Sequence, residues 1–139
     1  MATESARARL RRVVAAWALT ALVRLVLSLC SWPTVQVLAD RAARMPLRLP
    51  PEAPWRTAAR VTRVARGVPG ATCLTQALAT RVLLAWHGQA GAVIRFGVRH
   101  DGGALVAHAW VEHEGRVVIG GPDVGAYVPL DGPSATHAR

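Results

Sequence analysis

The chain contains no lysine and no asparagine, one tyrosine, one phenylalanine and two cysteines. Each shortage removes a class of protein. Two cysteines, Cys30 and Cys73, are too few for a disulfide scaffold, which is cysteine-dense. They are also too few for a four-ligand zinc site, and no His/Cys/Asp/Glu cluster has metal-ligand spacing. A reduced, cytoplasmic compartment is expected, with no metal and no cofactor. Cys30, inside the apolar run Leu25-Val26-Leu27-Ser28-Leu29-Cys30, reads as a small buried hydrophobe. Without asparagine, any group that orients a catalytic histidine must be a carboxylate or glutamine.

Acidic residues are scarce too: 8 against 17 basic ones, a net charge of +9 over 139 residues. Every one of those cations is arginine. The dominance of Ala, Arg, Val, Leu and Gly suggests a GC-rich genome, so part of the excess is compositional. Such charge attracts nucleic acid, anionic membranes or acidic peptides. No basic run is interleaved with stacking aromatics and no nucleic-acid-binding motif is present, so nucleic acid is not an expected partner. With 52% hydrophobic residues the chain is no disordered tail and fills one domain of ordinary size.

No apolar run crosses a bilayer uninterrupted. Arg7, Arg9, Arg11 and Arg12 precede Val13–Val23, and Arg24 then splits that block from Leu25–Cys30. A charge at that depth is costly, and neither half reaches the roughly 20 apolar residues a span needs. A core-packing helix is expected, with peripheral membrane contact as the lesser reading.

What is present divides into three stretches. Residues 1–45 read as an N-terminal helical region packing on the same domain, with Pro33 breaking the helical periodicity. Residues 46–54 hold four prolines in nine positions and form an extended connector. Residues 55–131 form the core, and 132–139 a polar tail. In the core, Trp55–Arg66 alternates arginine with small apolar residues as an amphipathic helix, ended by Gly67-Val68-Pro69-Gly70. Thr72 is a plausible N-cap for Cys73–Trp86. Strands follow at Ala92–Arg99, Ala104–His113 and Arg116–Ile119, with turns at His100–Gly103 and Glu114-Gly115 and a short edge element at Tyr127–Leu130. Helices first and an antiparallel β-meander after predict an α+β domain.

Cys73 and His108 carry the chemistry. A lone cysteine on an apolar helix is more often inert. Here it opens the helix after a tight, small-residue loop. A helix N-terminus favours the thiolate, the form that attacks, and first-turn N–H groups lack helical partners and can donate to an oxyanion. Of five histidines, only His108 lies mid-strand. His87 falls at a helix end, His100 and His113 at turns and His137 in the tail, which reads as solvent-facing. Strand parity puts His108, Trp110 and Glu112 on one face, with Trp110 walling the imidazole. If Glu114-Gly115 is a two-residue turn, His108 pairs with Gly121, and Asp123 lies diagonal to the imidazole as its best available orienter.

The ordered set Cys73-Leu74, Ile94–Arg99, Ala107-His108-Ala109-Trp110-Val111-Glu112 with Glu114-Gly115, and Pro122-Asp123-Val124 resembles the transglutaminase-like leader peptidases of lasso-peptide biosynthesis. The resemblance runs from about Cys73 to Leu130, and more loosely over the helical N-terminus. It implies a papain/transglutaminase-like fold and a Cys-His-Asp triad of Cys73, His108 and Asp123. The implied activity is a cysteine protease that cuts the leader from a ribosomally made precursor peptide. It implies as partners the precursor leader, a separate leader-binding recognition protein and the lasso cyclase, because no leader-binding domain fits before Cys73. The family pattern has Arg near Gln76 and its acid near Gly120. The alternatives are acyl or amide transfer by the same site, or a non-catalytic basic scaffold for peptides.

Overall fold

The computed structural model describes residues 5–130. The polar tail at 132–139, with His137, lies outside them, as do residues 1–4 and Asp131. Four helices come first: α1 (Ala6–Leu29), α2 (Trp32–Arg44), α3 (Pro54–Ala65) and α4 (Cys73–Trp86). Four strands follow: β1 (Val93–Asp101), β2 (Ala104–His113), β3 (Arg116–Ile119) and β4 (Val128–Pro129), with a short 3₁₀ turn at Val124–Ala126 before the last. The sheet is antiparallel in the order β3-β2-β1-β4, so the fold is α+β, helices first and sheet after.

Local chemistry sets the boundaries. Ser5 caps α1 by accepting from the Ala8 N–H at 3.2 Å. Pro33 and Pro54 lie in the first turns of α2 and α3, where a missing N–H costs nothing. Pro33 therefore starts a helix as well as ending the previous pattern, and α2 begins at Trp32. Thr72 and Thr75 form a reciprocal cap on α4. Both hairpins turn on two residues with positive φ, Gly102-Gly103 and Glu114-Gly115. That geometry matches the strand twist, and it extends β1 to Asp101, two residues past the expected strand end at Arg99.

α4 is the spine. Leu78, Val82, Leu83 and Leu84 are buried on it. One side packs on α1 and α3 through Ala16, Leu19 and Val61. The other meets the sheet, with Ala77 and Leu84 against Ala109 and Val111 of β2. The proline-rich connector is tied down by carbonyl acceptors that its prolines leave free. Arg12 donates to Pro51 O at 2.9 Å, His87 Nδ1 to Pro50 O at 2.6 Å and Gln89 Nε2 to Glu52 O at 2.7 Å.

α1 is only half a core helix. Ala16, Leu19 and Thr20 are buried, while Leu10, Val14, Trp17, Leu22, Leu25 and Leu29 face outward. Cys30 is half-buried at its C-terminal cap, and both cysteines are free thiols.

Candidate active site

Cys73 occupies the first position of α4. The first intrahelical bond runs from Gln76 N–H to Thr72 O at 3.1 Å, and the Thr75 N–H is taken by Thr72 Oγ1 at 3.3 Å. The amides of Cys73 and Leu74 precede that first bond, so helix geometry leaves them available to an incoming oxygen. Gly70 (φ 75°) allows the loop before Thr72 to turn. A Cβ there would lie 2.7 Å from Arg24 Nε, so the loop rests directly on the α1 guanidinium.

A cavity of about 460 Å³ brings Cys73 and His108 together. Cys73 and Gln76 line it from α4; His108, with Gly120 and Gly121, lines it from the sheet edge. α3 supplies the facing wall, Trp55, Ala58, Ala59 and Thr62. In the amphipathic pattern of Trp55–Arg66, the small residues between the arginines are the sequence signal for this wall. No hydrogen bond joins Cys73 Sγ to the imidazole among the described residues.

The His108 ring is fixed from two sides. Its Nε2 lies 2.6 Å from Gly120 O. A carbonyl only accepts, so Nε2 carries the proton and Nδ1 keeps the lone pair in the neutral ring. The Tyr127 ring is 4.9 Å away and Trp110 stacks at 6.2 Å, as strand parity suggested for Trp110; Tyr127 was not foreseen.

Asp123 takes no part in holding that ring. Its carboxylate accepts from Arg99 Nη1 at 3.1 Å, and Arg99 also lies 4.8 Å over the Tyr127 ring. The cause is a register shift. His113 pairs with Arg116 as counted, but a bulge at Val111/Glu112 sets Val111 opposite Ile119. Past the bulge, counting from the turn is one residue out, and a one-residue slip changes which face a side chain meets. Gly120 (φ 144°) then carries the chain over Trp110: a Cβ at 120 would lie 2.4 Å from Trp110 Cβ. No side-chain acid fits there, and the backbone carbonyl fills the place beside the imidazole.

Gln76 stands one turn below Cys73, on the same helix face. Its side-chain amide has no protein hydrogen-bond partner among the described residues, yet it lines the cavity. Among those residues no group of three His, Cys, Asp or Glu could hold a metal.

Two other histidines differ from expectation. His87 and His113 are buried, not solvent-facing. His113 Nε2 contacts Ala90 O at 3.3 Å, and His87 sits beside Glu52 in a charged cluster under the connector.

The profile of the transglutaminase-like superfamily matches residues 10–130. The chain belongs to the transglutaminase-like superfamily. That match spans the helices as well as the sheet, so the N-terminal helices are part of the family fold. No curated protein and no solved structure matches the chain. The superfamily commonly holds cysteine-dependent enzymes, including peptidases and acyl transferases, and Cys73 with His108 are the residues here that could carry such chemistry.

Proposed function

We propose that this transglutaminase-like protein is a cysteine peptidase that removes the leader from a ribosomally made lasso precursor peptide. It works with a separate leader-binding protein, and the product passes to a cyclase. One observation carries the reading: a helix-opening thiol and a strand imidazole line the same cavity. The lasso substrate rests on the resemblance of the Cys73-Leu74 and His108–Glu112 segments.

In this mechanism His108 Nδ1 takes the Cys73 proton as Sγ bonds to the scissile carbonyl carbon. The oxyanion accepts from the Cys73 and Leu74 amides. The C–N bond breaks as His108 returns the proton to the leaving amine. Water, deprotonated by the same nitrogen, then cleaves the thioester and restores the thiol. The Nε2–H bond to Gly120 O keeps Nδ1 free for both transfers. Sulfur and imidazole close on each other in the substrate complex, where general-base hydrogen bonds tighten.

The test is Cys73→Ala with precursor and leader-binding protein present. Cleavage should be abolished; undiminished cleavage overturns the mechanism. Mass spectrometry of the wild-type product identifies the acceptor. A free carboxylate supports hydrolysis, and an amide adduct assigns acyl transfer instead.

A further inference from the structure

We propose that the outer face of α1 seats on an anionic lipid bilayer and lies along its surface. This goes beyond the peptidase reading and does not depend on it. Leu10, Val14, Trp17, Leu22, Leu25 and Leu29 form a continuous exposed stripe; Trp17 is 56% and Leu29 75% exposed. On α2, Leu38 adjoins it, lining an apolar groove with Leu22 and Val26 of α1. An outward apolar face this long marks a contact surface.

The polar groups of α1 show which kind of contact it suits. From Val13 to Leu29 the polar side chains are Thr20, Arg24 and Ser28. Thr20 Oγ1 donates to Ala16 O at 2.7 Å and Ser28 Oγ to Arg24 O at 3.0 Å. Arg24 donates to Ser28 Oγ while its Nε is buried by the Gly70 loop. Each is satisfied on its own helix or turned inward. The stripe therefore offers a partner no hydrogen bond beyond the Trp17 indole N–H, a group suited to the headgroup layer, whereas protein interfaces carry roughly one per 100–200 Å². Hydrocarbon needs none.

Charge identifies the lipid. Residues 5–92, the helical half, hold thirteen arginines against two acids, Asp40 and Glu52. Residues 93–130, the sheet, hold three arginines against four acids. Of the two acids in the helical half, Asp40 is paired with Arg81 and Glu52 is buried. Arg7 and Arg11 begin the stripe at i and i+4, ahead of Val14. Basic residues flanking an apolar, tryptophan-bearing face match the headgroup and acyl layers of an anionic leaflet. α1 is long and apolar enough to cross a bilayer. Lying flat fits better, because crossing would strip Ala16 and Leu19 from the core and place Arg24 in hydrocarbon.

The test is co-sedimentation of the full chain with vesicles of phosphatidylglycerol and phosphatidylcholine, against phosphatidylcholine alone. Binding to the anionic vesicles should be at least about tenfold tighter and weaken with salt. It should fall roughly tenfold or more in Val14→Glu/Leu25→Glu and in Arg7→Gln/Arg11→Gln. All four positions are exposed, so folding should persist, checked by circular dichroism. Brominated lipid should quench tryptophan fluorescence, and less so in Trp17→Phe. Absence of vesicle binding, equal binding to neutral vesicles, or unchanged binding of the folded double variants overturns the proposal. So does sedimentation velocity showing a dimer that Val14→Glu/Leu25→Glu dissolves, which would give the face to a second copy.

Discussion

A histidine that transfers a proton at Nδ1 must hold its other proton at Nε2, and in this molecule a main-chain oxygen does that holding. The Gly120 carbonyl gives orientation and tautomer without a full negative charge. Asp123 is occupied by Arg99 at the surface. Asp123→Asn is therefore expected to leave kcat within about threefold and stability within ~0.5 kcal/mol, as an exposed ion pair contributes little. A loss of a hundredfold or more in precursor cleavage would instead make the carboxylate the third member. Gln76 has the opposite expectation. An amide at the cavity with no protein partner is placed to donate to the developing oxyanion. Gln76→Ala should lower kcat about 10²-fold, the cost of one such donor, with KM little changed. Alkylation of Cys73 by iodoacetamide should proceed at the wild-type rate, which separates lost stabilisation from a damaged nucleophile.

At the scale of elements, the proline-rich connector is held by charge. Glu52 accepts from Thr57 at 2.9 Å and pairs with Arg60, while His87 Nε2 lies 3.6 Å from it. Burial pushes the Glu52 carboxyl up, but hydrogen bonds from Arg60 and Thr57 and the charge of Arg60 bring it below its usual 4.5. Burial also lowers His87 below its usual 6.5, outweighing the Pro50 carbonyl and Glu52. Both shifts act in one direction. Between pH 6.5 and its own lowered value, His87 takes up a proton more readily unfolded than folded. Below pH 4.5, Glu52 does the same. The thermal midpoint should fall as pH drops from 7 to 5, and fall faster below 4.5. In His87→Gln the decline between 7 and 5 should flatten; an unchanged profile would count against His87 as its source. Removing the carboxylate is harsher: Glu52→Gln strands partly buried guanidinium groups and should cost about 3 kcal/mol in urea unfolding.

The whole molecule is two layers sharing one helix. α4 carries the nucleophile at its start and the core along its length, touching α1 and α3 on one side and β2 on the other. Leu84→Ala should cost about 3–5 kcal/mol, near the upper range for a fully buried leucine. It should do so in one transition, with far-ultraviolet and tryptophan signals moving together, because neither layer keeps its core without α4. Separate transitions would show that the helical layer folds alone.

Much of this was legible in the chain. Prolines, glycines and threonine caps act within a few residues, so the helix breaks, the two-residue turn at Glu114-Gly115 and the cap before Cys73 follow from local rules, while the turn expected over His100–Gly103 tightens to Gly102-Gly103 once the strands pair. The pairing of His113 with Arg116 followed from its turn for the same reason. What lay beyond was decided in three dimensions. The bulge at Val111/Glu112 arises in the paired sheet, and it is what turns Asp123 outward and brings Gly120 O to the imidazole. His87 is buried because the connector, distant in sequence, folds back over it. Hydropathy alone took α1 for a core helix; only packing showed which half of its surface the domain covers. Periodicity gives a helix its faces, but which face is buried depends on neighbours that no local pattern names.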